Sequence, residues 1–132
     1  MTHSICYVSS ATDNLNENEM DLLFNTVLHK NKGLNITGIL LYYYGNFLQV
    51  LEGDEEALKS LFETIKKDKR HQNLITIYDK KNDHSIFDEY KTGFSIIKTE
   101  NDLKNLKAYL KLSEDKEPLS TSVLGLLKPF LI

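Results

Sequence analysis

The run from Asn31 to Gly53 constrains the fold more than any other part of the chain. It reads Asn31-Lys-Gly-Leu-Asn-Ile-Thr-Gly38, then Ile-Leu-Leu-Tyr-Tyr-Tyr-Gly45-Asn46-Phe-Leu-Gln49-Val-Leu-Glu52-Gly53. A helix closing near Asn31, with Gly33 as its stop, passes into two apolar strands over residues 35–43 and 47–52. A Gly45-Asn46 pair between them supplies positive φ for a tight two-residue turn. Alternation along the second strand sets one glutamine, Gln49, between Phe47 and Leu51 on a single face. A side-chain amide buried there without a partner costs on the order of 1–3 kcal/mol. Gln49 is therefore satisfied by a ligand or placed to be switched.

At 132 residues the chain is long enough for one domain with one core, without disulfides or metal. A formal charge of -3 argues against a nucleic-acid binder that works by neutralising phosphates. The lone cysteine, Cys6, lies in an apolar strand and reads as inert. The N-terminus lacks a basic stretch leading into a long apolar run, and no segment reaches membrane-spanning length. These features predict a cytoplasmic protein that meets neither membrane nor nucleic acid.

Residues 3–8 read as a strand, with Ile5 and Tyr7 on one face and Cys6 and Val8 on the other. Asn16 and Glu19 form a capping box, with Leu15 and Met20 as a staple across it. Met20, Leu23, Phe24, Val27 and Leu28 then recur at helical spacing. Asp54 opens a second helix whose stripe is Ala57, Leu58, Leu61, Phe62 and Ile65. Leu74–Tyr78 and Tyr90–Ile97 read as two more strands around a polar connection, Asp79–His84. The order β-α-β-β-α-β-β predicts an α+β, ferredoxin-like sheet with both helices on one face. That plan bares Cys6, Val8, Leu48 and Val50 on the other face. Two further helices in residues 99–132 are expected to cap it or to join a partner's: one capped by Thr99 and Asp102 with Leu103, Leu106, Tyr109 and Leu110, one starting at Pro118 with Leu119, Val123, Leu126 and Leu127. The expected organisation is a domain over 1–98 and a cap over 99–132 in one globular unit.

His3, His29, His71 and His84 lack zinc spacing, so no metal site is expected, and no P-loop or nucleophile elbow is present. The polar residues that stand out are Tyr7, Asn31, Gln49, Asp68, Arg70 and His71. On the predicted fold, Asn31 ends the first helix, and Asp68, Arg70 and His71 follow the second. A flat ligand between the helices would lie against Leu23, Val27 and Ile65, with its edge at Gln49 and Tyr7. Arg70 suits a phosphate, since its planar fork matches phosphate oxygens. Each residue has a plainer reading: Tyr7 as a half-buried strand tyrosine, Asn31 as a helix end, Asp68 to His71 as a solvated turn. Tyr42-Tyr43-Tyr44 reads as cross-strand packing rather than base stacking.

At these residues the sequence resembles the BLUF family, blue-light sensors using flavin. The matching pieces are Tyr7-Val-Ser-Ser, Asn31 with Ile36-Thr37-Gly38, Phe47-Leu-Gln49-Val-Leu-Glu52-Gly53, and Asp68-Lys-Arg70-His71, in the family's order over residues 3–97. The resemblance implies a noncovalent flavin, usually FAD, with FMN or riboflavin as stand-ins in a heterologous host. It implies that Tyr7 is the electron donor and Gln49 the switching partner of the flavin ring. The family's Trp-x-Met pattern in the fifth strand is replaced by Tyr90 and Thr92, which are expected to relay and tune the signal, and Ser85 stands where a basic residue is common.

The resulting expectation is a non-enzymatic blue-light photoreceptor. Its output passes to a downstream protein partner, and it is expected to form a homo-oligomer. The rival readings are a light-insensitive binding module of the same fold, and a small ferredoxin-like hydrolase, which lacks a phosphate-cradling loop here.

Overall fold

The computed structural model describes residues 2–12, 16–82, 85–87, 90, 93–113 and 118–127. Leu15, His84, Thr92 and the side chain of Leu119 lie outside the described residues. The elements are β1 (Thr2–Ala11), α1 (Glu17–Gly33), β2 (Thr37–Tyr43), β3 (Asn46–Gly53), α2 (Glu55–Lys67), β4 (His71–Asn82), β5 (Phe94–Ile97), α3 (Glu100–Ser113) and α4 (Pro118–Leu127). The strands form one sheet in the order β4-β1-β3-β2-β5. The β2–β5 pair is parallel and the others are antiparallel.

Local chemistry sets the element ends. Asn16 caps α1 by accepting from the Glu19 N–H at 2.8 Å, and its own amide donates to the Glu19 carboxylate at 3.0 Å. Asp54 caps α2 by accepting from the Ala57 N–H at 3.1 Å. Thr99 and Asp102 form the expected reciprocal box at the start of α3, at 3.0 and 3.2 Å. Gly38, in the Ile-Thr-Gly run, has φ +140° in β2. A Cβ there would sit 1.9 Å from the Val50 carbonyl oxygen, so no other residue fits.

Four expectations are corrected. The hairpin turn is Tyr44-Gly45, at φ 50° and 79°, because Tyr43 and Asn46 already pair as strand residues. Asn46 instead donates its side-chain amide to the Tyr44 carbonyl at 3.2 Å. Gly33 stays inside α1, and the left-handed residue after the helix is Asn35 at φ 56°, a conformation asparagine tolerates. β4 runs through most of the supposed polar connection, since Asp79, Lys80, Lys81 and Asn82 all pair with β1. Polar and charged side chains are at home on such an edge strand. β5 begins only at Phe94, so Tyr90 precedes the strand rather than belonging to it.

The sheet separates two cores. On one face Ile5, Phe47, Leu51 and Phe94 pack with Phe24 of α1 and with Leu58 and Phe62 of α2. Tyr42 joins them, its ring 5.0 Å from that of its cross-strand partner Phe47. On the other face Cys6, Ile39, Leu48 and Val50 pack against Leu103, Leu106 and Leu110 of α3 and Val123 and Leu127 of α4. The C-terminal helices do cap the bare face. Burial there pushes the Cys6 thiol up to about 12, which leaves it an unreactive core group.

Candidate functional site

α1, α2 and the middle of the sheet enclose a cavity of about 110 Å³ that opens to solvent at its mouth. Its floor is Tyr7 from β1 and Gln49 from β3, which face each other in antiparallel register. Leu23, Val27 and Asn31 form one wall, three positions on one stripe of α1. Ile65 lines the wall supplied by α2, and Asp68, Arg70 and His71 line the rim beyond it. The residues singled out from the sequence as ligand contacts therefore share one cavity. Tyr90 does not: it packs behind the sheet, its ring 4.6 Å from that of Tyr109.

The floor is a hydrogen-bonded pair. Tyr7 donates its hydroxyl to Gln49 Oε1 at 2.5 Å, and both residues are buried. With the oxygen occupied by Tyr7, the Gln49 amide nitrogen is the group left to donate. Burial drives the Tyr7 pKa upward, with the nearby Asp68 charge adding to it, so Tyr7 is a neutral phenol with its proton in place. Phe62 holds the Tyr7 ring at 5.6 Å between centroids.

At one end of the cavity Asn31 is 2% exposed, and its Nδ2 has no hydrogen-bond partner among the described residues. An unpaired buried amide on a cavity wall is the group a ligand acceptor would satisfy. At the other end Arg70 donates Nε and Nη2 to Asp68, the latter bond at 2.6 Å. This ion pair, with the Arg70 backbone N–H also donating, holds the Asp68 carboxyl below its ordinary value and raises Arg70. Its remaining Nη1 edge is the one left for an anion. His71 Nε2 donates to the Ile65 carbonyl at 2.7 Å, and Nδ1 hydrogen-bonds with the Ser9 hydroxyl, also at 2.7 Å. That fixes the imidazole between α2 and β1.

Thr26 and Lys30 of α1, Thr64 of α2, and Leu40, Phe47 and Leu61 also line the cavity and escaped the sequence reading as contacts. The signal was available in the spacing. Thr26 and Lys30 continue the helical stripe of Leu23, Val27 and Asn31, and Thr64 continues that of Leu61 and Ile65.

The chain belongs to the BLUF family, sensors of blue-light using FAD, whose model matches residues 2–93. Photoactivated adenylate cyclase subunit beta of Euglena longa is 35% identical over 75 residues, covering 57% of this chain and 9% of that protein. This chain thus spans under a tenth of that cyclase. The structure of Klebsiella pneumoniae BlrP1 in a calcium and cyclic diGMP complex at pH 8.0 matches with a TM-score of 0.78 at 33% identity, covering 99% of this chain and 34% of that one. BlsA in its photo-activated state matches with a TM-score of 0.68 at 26% identity, covering 100% of this chain and 96% of that chain. Among the described residues no helix is long and apolar enough to cross a membrane.

Proposed function

We propose that this chain is a blue-light sensor that binds FAD between α1 and α2 and switches through Tyr7 and Gln49. The observation that carries this is the orphaned Nδ2 of buried Asn31, in the same cavity as the Tyr7–Gln49 pair. The donor set fits a flavin. Asn31 and Gln49 offer amide donors to ring carbonyls and nitrogens, Leu23, Val27 and Ile65 give apolar surface to a flat ring, and Arg70 and Lys30 lie at the mouth where phosphates would emerge. Because most contacts are to the ring, FMN or riboflavin would also be held.

A bound flavin supplies blue-light absorption and an excited state that accepts an electron. Tyr7 is the donor placed for that role. Oxidation makes a phenol strongly acidic, and Gln49 Oε1, 2.5 Å away, is the atom positioned to take the proton; the electron and the proton then return to Tyr7, so no net redox change remains. Gln49 carries an acceptor and a donor on one arm, so turning that arm over exchanges what it presents to the cavity and to Tyr7. The lit state then differs from the dark one by hydrogen bonding in an otherwise intact core. We infer that the output goes to a downstream protein and that the chain self-associates, with Tyr90 and Thr92 tuning the signal.

Absorption spectroscopy of the purified protein tests the reading. The expected result is a yellow protein whose flavin band moves to longer wavelength under blue light and recovers in darkness. A colourless protein that also takes up no FAD on refolding would sink it.

A further inference from the structure

We propose that Glu52 is a positioning residue that couples the strand of Gln49 to the C-terminal cap, with Tyr109 as its counterpart on α3. The inference rests on the Tyr7–Gln49 switch proposed above. Glu52 lies three residues beyond Gln49 on β3, about 10 Å along an extended strand, and its side chain is on the opposite, cap-facing side. It is 0% exposed. A carboxylate buried to that degree is stable only if its oxygens are met by donors. Glu52 Oε2 accepts from the Ile86 N–H at 2.6 Å, and Oε1 accepts from the Phe87 N–H at 2.8 Å and the Thr37 hydroxyl at 3.2 Å.

The same peptide unit is held from the other side. Tyr109 donates its hydroxyl to the Ile86 carbonyl at 2.5 Å. Its ring stacks on Phe87 at 6.2 Å and 26°, and lies against Tyr90. The peptide joining Ile86 to Phe87 therefore has its N–H on β3 and its C=O on α3. A shift of β3 when Gln49 changes partners moves the Glu52 carboxylate, and the rigid peptide plane passes that displacement to Tyr109. The partners are 34 and 35 residues from Glu52 in sequence on one side and 23 residues from Tyr109 on the other, so no local element enforces the arrangement.

Hydrogen exchange on the full chain tests this, in darkness and under blue light, for wild type, Glu52→Gln and Tyr109→Phe. Glutamine puts an NH₂ against a backbone N–H; phenylalanine keeps the ring stack and removes one donor. In darkness, with or without flavin, Glu52→Gln should speed exchange of the Ile86 and Phe87 amides about fivefold, the loss of one ordinary hydrogen bond. Both variants should keep the flavin red shift yet lose the light-minus-dark difference in α3 that wild type shows, and the double variant should lose no more. A merely structural role would change dark exchange and leave that difference intact. A wild-type difference confined to 94–97, or one that survives in Tyr109→Phe, overturns the coupling. Absence of the red shift in wild type would instead defeat the switch itself, so the two failures are distinguishable.

Discussion

On the face covered by α1 and α2, the strands set Tyr7 and Gln49 among Ile5, Phe47 and Leu51, and the packing against both helices leaves a cavity over that pair. On the face covered by α3 and α4, Cys6, Ile39, Leu48 and Val50 meet leucines and a valine that are all at most 4% exposed. The same alternating strands supply both faces. The difference lies in what their inward polar groups do. On the cavity face Tyr7 and Gln49 bond each other while Asn31 Nδ2 has no partner among the described residues; on the cap face Glu52 is met by backbone donors. The cavity face keeps a buried amide beside open space for a ligand, and the cap face is filled by α3 and α4. Substitutions should therefore separate function from stability by face.

The largest effect is expected at the floor of the cavity. Gln49→Leu nearly conserves volume and removes both hydrogen-bonding functions, so it should retain flavin and abolish the light-induced red shift. Tyr7→Phe should keep the flavin and lose the normal photocycle. Absorption difference spectra under blue light read both; a full reversible shift in either variant would remove that residue from the switch.

Stability sharpens the contrast. Leu106 of α3 is 0% exposed in the cap core, and Leu106→Ala should cost about 2–5 kcal/mol of unfolding free energy. Its red shift, measured below the unfolding midpoint, should persist. Val27, half-buried on the cavity wall, should cost only about 1 kcal/mol when cut to alanine, but should weaken flavin retention. Denaturant titration with parallel flavin assays checks the pair. Equal stability losses on both faces would break the distinction.

Which of these features could be read from residues alone follows from how local they are. The stripes of α1 and α2 repeat within one or two turns, so Leu23, Val27, Asn31 and Ile65 were visible as one surface. Gln49 stood out because alternation made it a polar residue on an apolar face. Thr26 and Thr64 lie on those same stripes, but a helical threonine normally reads as solvated surface; here each also bonds its own helix, to Leu22 and Ser60. The turn was misplaced by one residue because a tyrosine at positive φ is disfavoured and only the strand register demands it. The far ends of β4 were illegible because an edge strand paired to β1 alone tolerates the polar residues that usually mark a loop. The grip of Glu52 on Ile86 and Phe87 depends on contacts across the whole fold, which no spacing encodes.

A smaller effect is expected at the cavity end. Asn31→Ala removes the orphaned amide without touching the Tyr7–Gln49 pair, so flavin affinity should fall about tenfold, the weight of one hydrogen bond to a buried partner. The red shift of the protein that remains loaded should be unchanged. Fluorescence titration of refolded protein with FAD measures this. Unchanged affinity would mean that Asn31 serves α1 and not the ligand.

The smallest effect concerns the rim, and its sign follows from the Asp68–Arg70 pair. The Arg70 side chain, and then its backbone N–H, hold the Asp68 carboxyl below its ordinary value of 3.8 despite partial burial. A carboxyl lowered on folding adds stability that is fully present above its unfolded pKa and is lost as pH falls through the folded one. The window therefore opens below about pH 4, and between pH 7 and 5 the pair should contribute a constant amount. Arg70 is shifted the other way, upward from its ordinary value, so it stays charged throughout that range and adds no acid dependence of its own. Both groups are partly exposed, so solvent screening keeps the effect small. Flavin retention should stay flat from pH 7 to 5 and decline below about pH 4, and Asp68→Asn should begin slightly weaker and lose part of that decline. A drop already between pH 7 and 5, preserved in Asp68→Asn, would assign the acid sensitivity to a group other than this pair.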